Sequence, residues 1–432
     1  TGVSPDRKTL LILTSGFNRI NGADGEPIAH ASNEYVFVYD ISHTEPRQVQ
    51  AVKVPDTFAG IAFSPDGKQF YVSGGKDDNV HIFSLDWNRH WSESGEPVKL
   101  GHSSGLGLKI GKEPLAAGGL AVTQNGEALI VANVYNDSVS VVDLHSRRVS
   151  AELDLRPGKI DAAKAGVPGG EYPFWVSIKG NATAYISCLR DREIVVVGLV
   201  GKPTVLYRIK IAGNPNKMLL NRDQSRLFVT ADNSDTVVVI DTRTNRILET
   251  LSTAGPAALM ANLKAYTGSA PNSLALSPDE RTLYVTNGGS NSVAVIRLGR
   301  AGSKSMVTGL LPTGWYPNSV SLSGDGRMLY IVNGKSVPGP NPDLHVTVKN
   351  SNRRPGQAVR VNSRSEYILQ LEKAGFLSMP VPTGRALDRL TQVVSENNSF
   401  QTKSTLRDEI IMRELHKTIK HVIYIIKENR TY

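Results

Sequence analysis

The sequence predicts an all-β fold: a seven-bladed β-propeller, followed by a short helical linker and the stub of a truncated α/β domain. Two observations predict the propeller, a three-strand pattern that recurs seven times and a composition rich in turn residues. The 432 residues include 39 glycines and 23 prolines. A chain of this length exceeds an ordinary single core unless it is built from repeats. Stacking such repeats in a closed ring leaves only short strand edges.

The repeat is clearest at residues 271–298, which read as an apolar strand, a Ser-Pro-Asp turn, a second strand ending in Asn, a second turn and a third strand. Proline and glycine in such turns favour a hairpin between the first two strands. The first turns of the seven units lie at Ser4, Ser64, Thr123, Ile178, Asn221, Ser277 and Ser323. In the seventh unit we expect the third strand at residues 367–371, after a long insertion.

Polar residues recur at and after the end of the second strand. They are Asn133, Asn287 and Asn333 at its end, and Asp137, Asp235 and Asn291 in the turn that follows. Short polar side chains of this kind bond readily to nearby backbone groups. We therefore expect them to cap the next turn and to have a structural role.

Residues 284–287 read Tyr-Val-Thr-Asn, and with this motif the body of the chain, residues 1–382, resembles the YVTN-repeat β-propeller family. The resemblance implies a binding scaffold, often outside the cytoplasm, whose members share no common chemistry. It therefore implies a periplasmic or secreted protein, although no signal peptide is visible. A shared fold alone does not assign a function.

Long insertions are predicted to decorate one face of the propeller. They occupy residues 16–34 and 334–366 within blades, and 100–117, 156–171 and 252–270 between blades. Trp175 and Trp315 lie beside the entries to inner strands, so we expect them near the channel mouth on this face. Loops on a rigid scaffold often carry binding residues. The face is therefore a candidate docking surface for a ligand or a further domain.

The insertion at residues 334–366 carries Arg353 and Arg354 among six basic residues. These side chains suit an anionic or phosphorylated ligand, and the alternative is an ordinary solvated loop. The net charge of +9 does not single out nucleic acid, so no nucleic-acid partner is expected. No apolar run approaches the roughly 20 residues of a membrane span.

The propeller sequence shows no convincing catalytic or metal-binding constellation. The single cysteine, Cys188, excludes a disulfide framework and a cysteine-based zinc site and is expected in the core. The nine histidines follow no metal-ligand spacing. No catalytic residue is assigned in this chain, and no cofactor is expected for the propeller alone.

The C-terminal part differs from the repeats. Residues 386–396 and 406–416 have apolar residues at helical spacing, which predicts two helices within a linker at residues 383–418. The apolar run at residues 421–426 predicts a buried parallel strand, the first of an α/β domain that begins at residue 419. Glu428, Asn429 and Arg430 follow it. Ligands bind at the carboxyl ends of such strands, where a Glu-Asn pair suits a metal ion.

Residues 419–432 resemble the first strand and motif of the phosphoesterase family that includes bacterial acid phosphatases and phospholipases C, within the alkaline-phosphatase superfamily. The resemblance implies that Glu428 and Asn429 are ligands of a divalent metal ion in the complete parent protein. Two side chains cannot complete such a site, because a metal needs about four to six donors. The missing phosphoesterase domain is then the expected partner in cis.

We therefore expect this chain to be the propeller portion of a metal-dependent phosphoesterase and to be inactive alone. One alternative is a self-sufficient propeller hydrolase that resembles the lactonases, and another is a purely protein-binding propeller. A lactonase of this kind would require acidic or histidine ligands at the channel mouth, and the sequence shows no such set.

Overall fold

A computed structural model describes residues 1–14, 34–102, 118–261, 268–299, 303–336, 374–400 and 405–424. In these residues the chain forms seven antiparallel sheets arranged in sequence order. The predicted seven-bladed β-propeller is confirmed, and two helices follow it.

The strands of the first three blades follow chain order. Blade one contains β1 (Gly2–Val3), β2 (Thr9–Leu13), β3 (Glu34–Asp40) and β4 (Arg47–Val54). Blade two contains β5 (Ile61–Phe63), β6 (Gln69–Ser73) and β7 (Asn79–Leu85), and both β8 (Trp91–Glu93) and β9 (Val98–Lys99) pair with β7. Blade three contains β10 (Leu120–Val122), β11 (Ala128–Asn133), β12 (Ser138–Asp143) and β13 (Arg148–Asp154).

The remaining blades repeat the pattern. Blade four contains β14 (Pro173–Lys179), β15 (Thr183–Cys188), β16 (Glu193–Gly198) and β17 (Thr204–Lys210). Blade five contains β18 (Pro215–Leu220), β19 (Arg226–Ala231), β20 (Thr236–Asp241) and β21 (Arg246–Ser252). Blade six contains β22 (Pro271–Leu276), β23 (Thr282–Asn287), β24 (Ser292–Arg297) and β25 (Met306–Pro312), and blade seven contains β26 (Trp315–Leu322), β27 (Met328–Lys335) and β28 (Gly375–Pro380).

The ring closes between blade one and blade seven. The Thr1 hydroxyl lies 2.7 Å from the Ser319 hydroxyl and 2.8 Å from the Ser321 hydroxyl, both on β26. Each blade presents its first strand to the centre, and the apolar core fills the spaces between neighbouring sheets. Leu11, Val38, Phe70 and Phe83, for example, form one cluster between blades one and two. Cys188 is fully buried in another such cluster, as a core residue.

The hydroxyl at the first turn explains why the hairpins recur. In blade six the Ser277 hydroxyl donates to Asp279 at 2.6 Å and accepts from the Thr282 backbone N–H at 2.9 Å. The same pair of bonds occurs in blades one, two and seven. Blade four has Ile178 at this position, so its hairpin closes through Lys179 paired with Thr183 instead.

The outer strands carry a repeated irregularity. A register shift between the third and fourth strands occurs at Val38/Tyr39, Val141/Val142, Val196/Val197, Val239/Ile240 and Val295/Ile296. Such bulges twist an edge strand and oppose edge-to-edge pairing between molecules.

The polar residue after the second strand links one blade to the next. Asp235 accepts bonds from the Gly268 N–H at 2.7 Å, the Ala270 N–H at 3.0 Å and the Ser269 hydroxyl at 3.0 Å. Asp137 accepts from the Tyr172 N–H at 3.0 Å and Asn291 from the Tyr316 N–H at 2.8 Å. These side chains therefore have the expected structural role. They bond to the segment that leads into the first strand of the next blade, and not to the turn in which they lie.

Blade seven departs from the sequence prediction. Its third strand is β28, which pairs with β27 in the register Asn333–Gly375 to Met328–Pro380. The expected strand at residues 367–371 lies outside the described residues. The run Phe376 to Met379 supplies the apolar side chains of the third strand, since Leu377 and Met379 pack against the core between blades six and seven.

The helices are short except near the C-terminus. Helices α1 (Pro157–Ile160) and α2 (Ala257–Met260) lie in connections between blades, as does the 3₁₀ turn at Ala162–Lys164. Three further 3₁₀ turns join the second and third strands within a blade, at Gly75–Asp77, Val134–Asn136 and Asp232–Ser234. Helix α3 (Arg385–Asn397) packs against β25, and α4 (Leu406–Thr418) begins with a capping box between Thr405 and Asp408. Both were predicted from helical spacing.

The tail differs from the expected buried strand as far as it is described. Residues 421–424 form no strand, and Val422, Ile423 and Tyr424 are each more than four-fifths exposed. This part of the tail has no sheet on which to pack, so burial on two faces does not occur. Residues 425–432 lie outside the described residues.

Candidate functional site in the central channel

A cavity of about 510 Å³ follows the inner strands of four consecutive blades. Blades five, six, seven and one supply nearly all of its lining, and Trp175 is the contribution of blade four. Lys217, Ser273 and Ser319 lie near the starts of their strands. Arg7, Arg222 and Glu280 lie at the hairpin turns. The cavity therefore extends along the inner strands, and its volume is typical of a small-molecule site.

Lys217 and Trp175 come together where the inner strands begin. The Lys217 ammonium lies 5.2 Å from the centre of the Trp175 indole ring, within the range of a cation–π contact. It also donates to the backbone carbonyl of Asn318, on blade seven, at 3.3 Å. Lys217 forms no ion pair within the part of the chain that the structure describes. Burial lowers the pKa of Lys217 to about 8.

Trp175 is held in place by its own blade. Its backbone N–H donates to the Ser187 hydroxyl at 2.9 Å, and its ring packs against the apolar core between blades four and five. Gly119 of blade three leaves the space that the ring occupies, because a β-carbon there would lie 2.7 Å from Trp175 Cε3. The ring is therefore a fixed wall of the site.

Two further aromatic rings lie near Trp175, outside the lining of the cavity. Phe174 lies 6.3 Å from Trp175 between ring centres, and Phe58 of the connection into blade two lies 6.3 Å from Phe174 in an edge-to-face arrangement. Within the described lining of the cavity, Trp175 is the aromatic residue, and the polar residues include Lys217, Arg7, Arg222, Glu280 and several serines.

Of the four residues that the sequence proposed for a ligand or partner face, the structure describes Trp175 and Trp315. Trp175 lines the cavity, whereas Trp315 is 56 % exposed and does not line it. Arg353 and Arg354, like Glu428 and Asn429, lie outside the described residues. The proposed docking face rests largely on insertions that also lie outside them.

Sequence reasoning missed Lys217, Phe58, Phe174 and Gly119. A signal for Lys217 was present in the repeats. Residues 215–220, 271–276 and 317–322 each begin with Pro-Asn, and the third position holds Lys217 in one copy and Ser273 and Ser319 in the others. Blade five therefore differs from blades six and seven at this cavity-lining position, because it has a lysine where they have a serine.

The described residues contain no group of three or more histidine, cysteine, aspartate or glutamate side chains placed to hold a metal ion. The chemistry that they offer at the cavity is a partly buried amine, hydroxyls and one aromatic ring. Among the described helices, none is both long enough and apolar enough to cross a membrane.

Part of the sequence matches a known family model. Residues 212–338 match the model described as lactonase, seven-bladed β-propeller. The matched part is less than a third of the chain, and it includes Lys217, Ser273 and Ser319, the polar side of the cavity. The comparisons give no evidence for a phosphoesterase domain. No curated protein matches the sequence.

Solved structures share the fold. A protein from Lactobacillus plantarum has a TM-score of 0.56 at 14% identity, with 74% of this chain and 85% of that chain covered. A protein of Bacteroides fragilis, provisionally named a 6-phosphogluconolactonase, has a TM-score of 0.56 at 16% identity and coverages of 76% and 88%. The periplasmic gluconolactonase of Pseudomonas aeruginosa has a TM-score of 0.52 at 16% identity and coverages of 72% and 85%. At these identities the likeness extends to the fold alone.

Proposed function

We propose that the chain binds a sugar lactone in the central cavity and hydrolyses it. The observation that carries the proposal is Lys217, a cation without an ion-pair partner in the described residues, placed beside the Trp175 ring in a cavity of ligand size. The match of residues 212–338 to the lactonase propeller model supports it. The lactonase alternative is thus favoured over the phosphoesterase expectation, which no described residue supports.

The geometry suggests a role for each side of the site. The flat C–H face of a sugar ring would rest on Trp175, which orients the ring. Water adds to the carbonyl carbon, the bond to the ring oxygen breaks, and that oxygen takes up a proton to give the hydroxy acid. The Lys217 ammonium would stabilise the negative charge that develops on the carbonyl oxygen, the usual largest contribution to acyl-transfer catalysis.

A positively charged site also favours an anionic substrate. Ser273 and Ser319, of blades six and seven, also line the cavity. We therefore propose that a phosphorylated sugar lactone binds more tightly than the neutral one. An extracytoplasmic location remains a proposal, supported by the location in the name of the P. aeruginosa enzyme.

The test is the rate of acid release from glucono-δ-lactone and from its 6-phosphate, measured above the spontaneous rate. The intact chain should accelerate both reactions, and Lys217→Met should lower kcat/KM by about 10²–10³-fold, as for the loss of one oxyanion donor. Lys210→Met is the matched control, because Lys210 lies on the outer strand β17, pairs with Glu193 and does not line the cavity. A rate equal to the spontaneous one would refute the proposal, and turnover of a chromogenic phosphate ester instead would favour the phosphoesterase.

A further inference from the structure

Lys217 is chemically distinct from the other lysines whose contacts the structure describes. Lys210 pairs with the Glu193 carboxylate at 2.9 Å and Lys417 with Glu414 at 2.7 Å. Lys179 donates to the hydroxyl and the carbonyl of Thr242. Lys217 instead faces an indole ring and one backbone carbonyl inside a cavity. Among the described residues, no carboxylate therefore lies within ion-pair distance of its nitrogen.

The surroundings raise the fraction of Lys217 that is neutral. An ammonium that loses water without gaining a counter-ion is destabilised, and burial accordingly lowers the pKa of Lys217 to about 8. At pH 7.4 about 20% of such amines are neutral, against about 0.1% for a lysine with the ordinary pKa of 10.4. The other ionisable groups that line the cavity are the amino group of Thr1 and the side chains of Arg7, Arg222 and Glu280.

The cavity gives the Lys217 nitrogen room for a ligand, and its neighbours restrict its orientation. The Asn318 carbonyl accepts one N–H of Lys217 and so limits the directions that the lone pair can take. Beyond the nitrogen lies the cavity of about 510 Å³. Trp175 supplies a surface against which a small planar group can lie. A partly buried lysine with a lowered pKa, next to an apolar surface in a cavity, is an arrangement in which an amine can act as a nucleophile.

We propose that Lys217 is a nucleophilic amine that condenses with aldehydes, including the open-chain form of sugars, inside the channel. The neutral nitrogen adds to the carbonyl carbon to give a carbinolamine. Loss of one water molecule then leaves an imine between Lys217 and the former carbonyl carbon. No oxidant or reductant is needed, and the reaction reverses by addition of water. This activity is separate from lactone hydrolysis, in which Lys217 acts through its positive charge.

Reductive trapping tests the proposal. The intact chain is incubated with glyceraldehyde and sodium cyanoborohydride, which reduces the imine to a stable secondary amine, and labelled peptides are quantified by mass spectrometry. Labelling at Lys217 should exceed that at Lys210 and Lys179 by at least tenfold at pH 7.4. Peptide mapping separates Lys217 from the amino group of Thr1, which lies in the same cavity. Equal labelling of the three lysines would overturn the proposal.

The pH dependence and one variant supply independent readouts. Labelling of Lys217 should rise with a midpoint near pH 8, whereas that of an ordinary exposed lysine should still be rising at pH 10. Lys217→Arg keeps the positive charge but cannot form an imine, because the guanidinium stays protonated. This variant should lose labelling at the site and keep part of any lactone hydrolysis. Labelling in a chain without lactonase activity would support the amine chemistry while refuting the proposed function.

Discussion

The indole ring of Trp175 occupies the space that a side chain on Gly119 would require. A β-carbon at Gly119 would lie 2.7 Å from Cε3 and 2.9 Å from Cδ2 of the Trp175 ring, and 3.0 Å from the Cα atom of Trp175. The last of these is a backbone atom of a strand, so the conflict cannot be removed by rotating a side chain. The glycine of blade three and the tryptophan of blade four therefore determine the shape of the cavity wall together.

We expect Gly119→Ala to displace Trp175 and to lower the free energy of unfolding by about 1–3 kcal/mol, the usual cost of overpacking. Lactone turnover and imine trapping at Lys217 should fall with it, because the wall of the site has moved. Denaturant unfolding and the two activity measurements check this. Gly2→Ala is the control, since its β-carbon would meet only Ile61, at 3.9 Å. Equal effects of the two substitutions would contradict the role of the Gly119–Trp175 contact.

The second prediction concerns the links between blades. Asp235 receives two backbone N–H bonds and one hydroxyl bond from the entry to blade six, whereas Asn291 receives one N–H bond from the entry to blade seven. Because each lost bond leaves a donor without its partner, Asp235→Ala should cost about 2–4 kcal/mol and Asn291→Ala about 1 kcal/mol. Thermal or denaturant unfolding of both variants measures the difference. The idea fails if Asn291→Ala proves the more damaging.

The third prediction is a dependence of stability on pH through His102. Its ring is 2 % exposed and bonds to Asp78 at 2.5 Å and to Glu152 at 3.1 Å. Burial alone would lower the pKa of His102, but the bonds to the two carboxylates outweigh it and raise the pKa to about 9. A pKa raised on folding stabilises the fold fully below the unfolded value of 6.5, and this stabilisation is lost as the pH rises through 9.

We therefore expect the free energy of unfolding to fall by about 2–3 kcal/mol between pH 6.5 and pH 9.5 from this group. In His102→Gln the corresponding decrease should be absent, and the variant should be less stable than the parent chiefly at the lower pH. His43→Gln, at an exposed position, should keep the parent's profile. Urea unfolding over this pH range gives the curves, and an unchanged slope in His102→Gln would show that other groups cause it.

Much of the fold could be predicted because the same pattern of strands and turns recurs seven times in the sequence. The turn hydroxyl at Ser277 and the Tyr-Val-Thr-Asn strand encode local pairing, which a single sequence reveals. The site could not be predicted in this way, because it depends on contacts between blades. Nothing local to Phe58 indicates that it reaches Phe174 two blades away, and Gly119 matters only because Trp175 of the next blade needs its space. Lys217 was visible as an exception among the copies but not as a neighbour of Trp175.

The last prediction concerns the two C-terminal helices, which the sequence presents as similar. Helix α3 lies close against β25, since a β-carbon on Gly309 would be 2.5 Å from Leu387 Cγ. The backbone N–H of Leu310 donates to the Thr391 hydroxyl at 2.9 Å. Val394, on the same helix, is 1 % exposed. Helix α4 has every residue exposed, including Ile411 at 45 %.

Val394→Ala should therefore lower the free energy of unfolding by about 1–3 kcal/mol, because it removes buried methyl groups from the core between blades five and six. Ile411→Ala removes more carbon atoms but should change the free energy by less than about 0.5 kcal/mol, since Ile411 is already 45 % exposed to solvent. Denaturant unfolding of the two variants under the same conditions makes the comparison. A cost at Ile411 equal to that at Val394 would mean that α4 is covered in solution and that its apolar side chains have a binding partner.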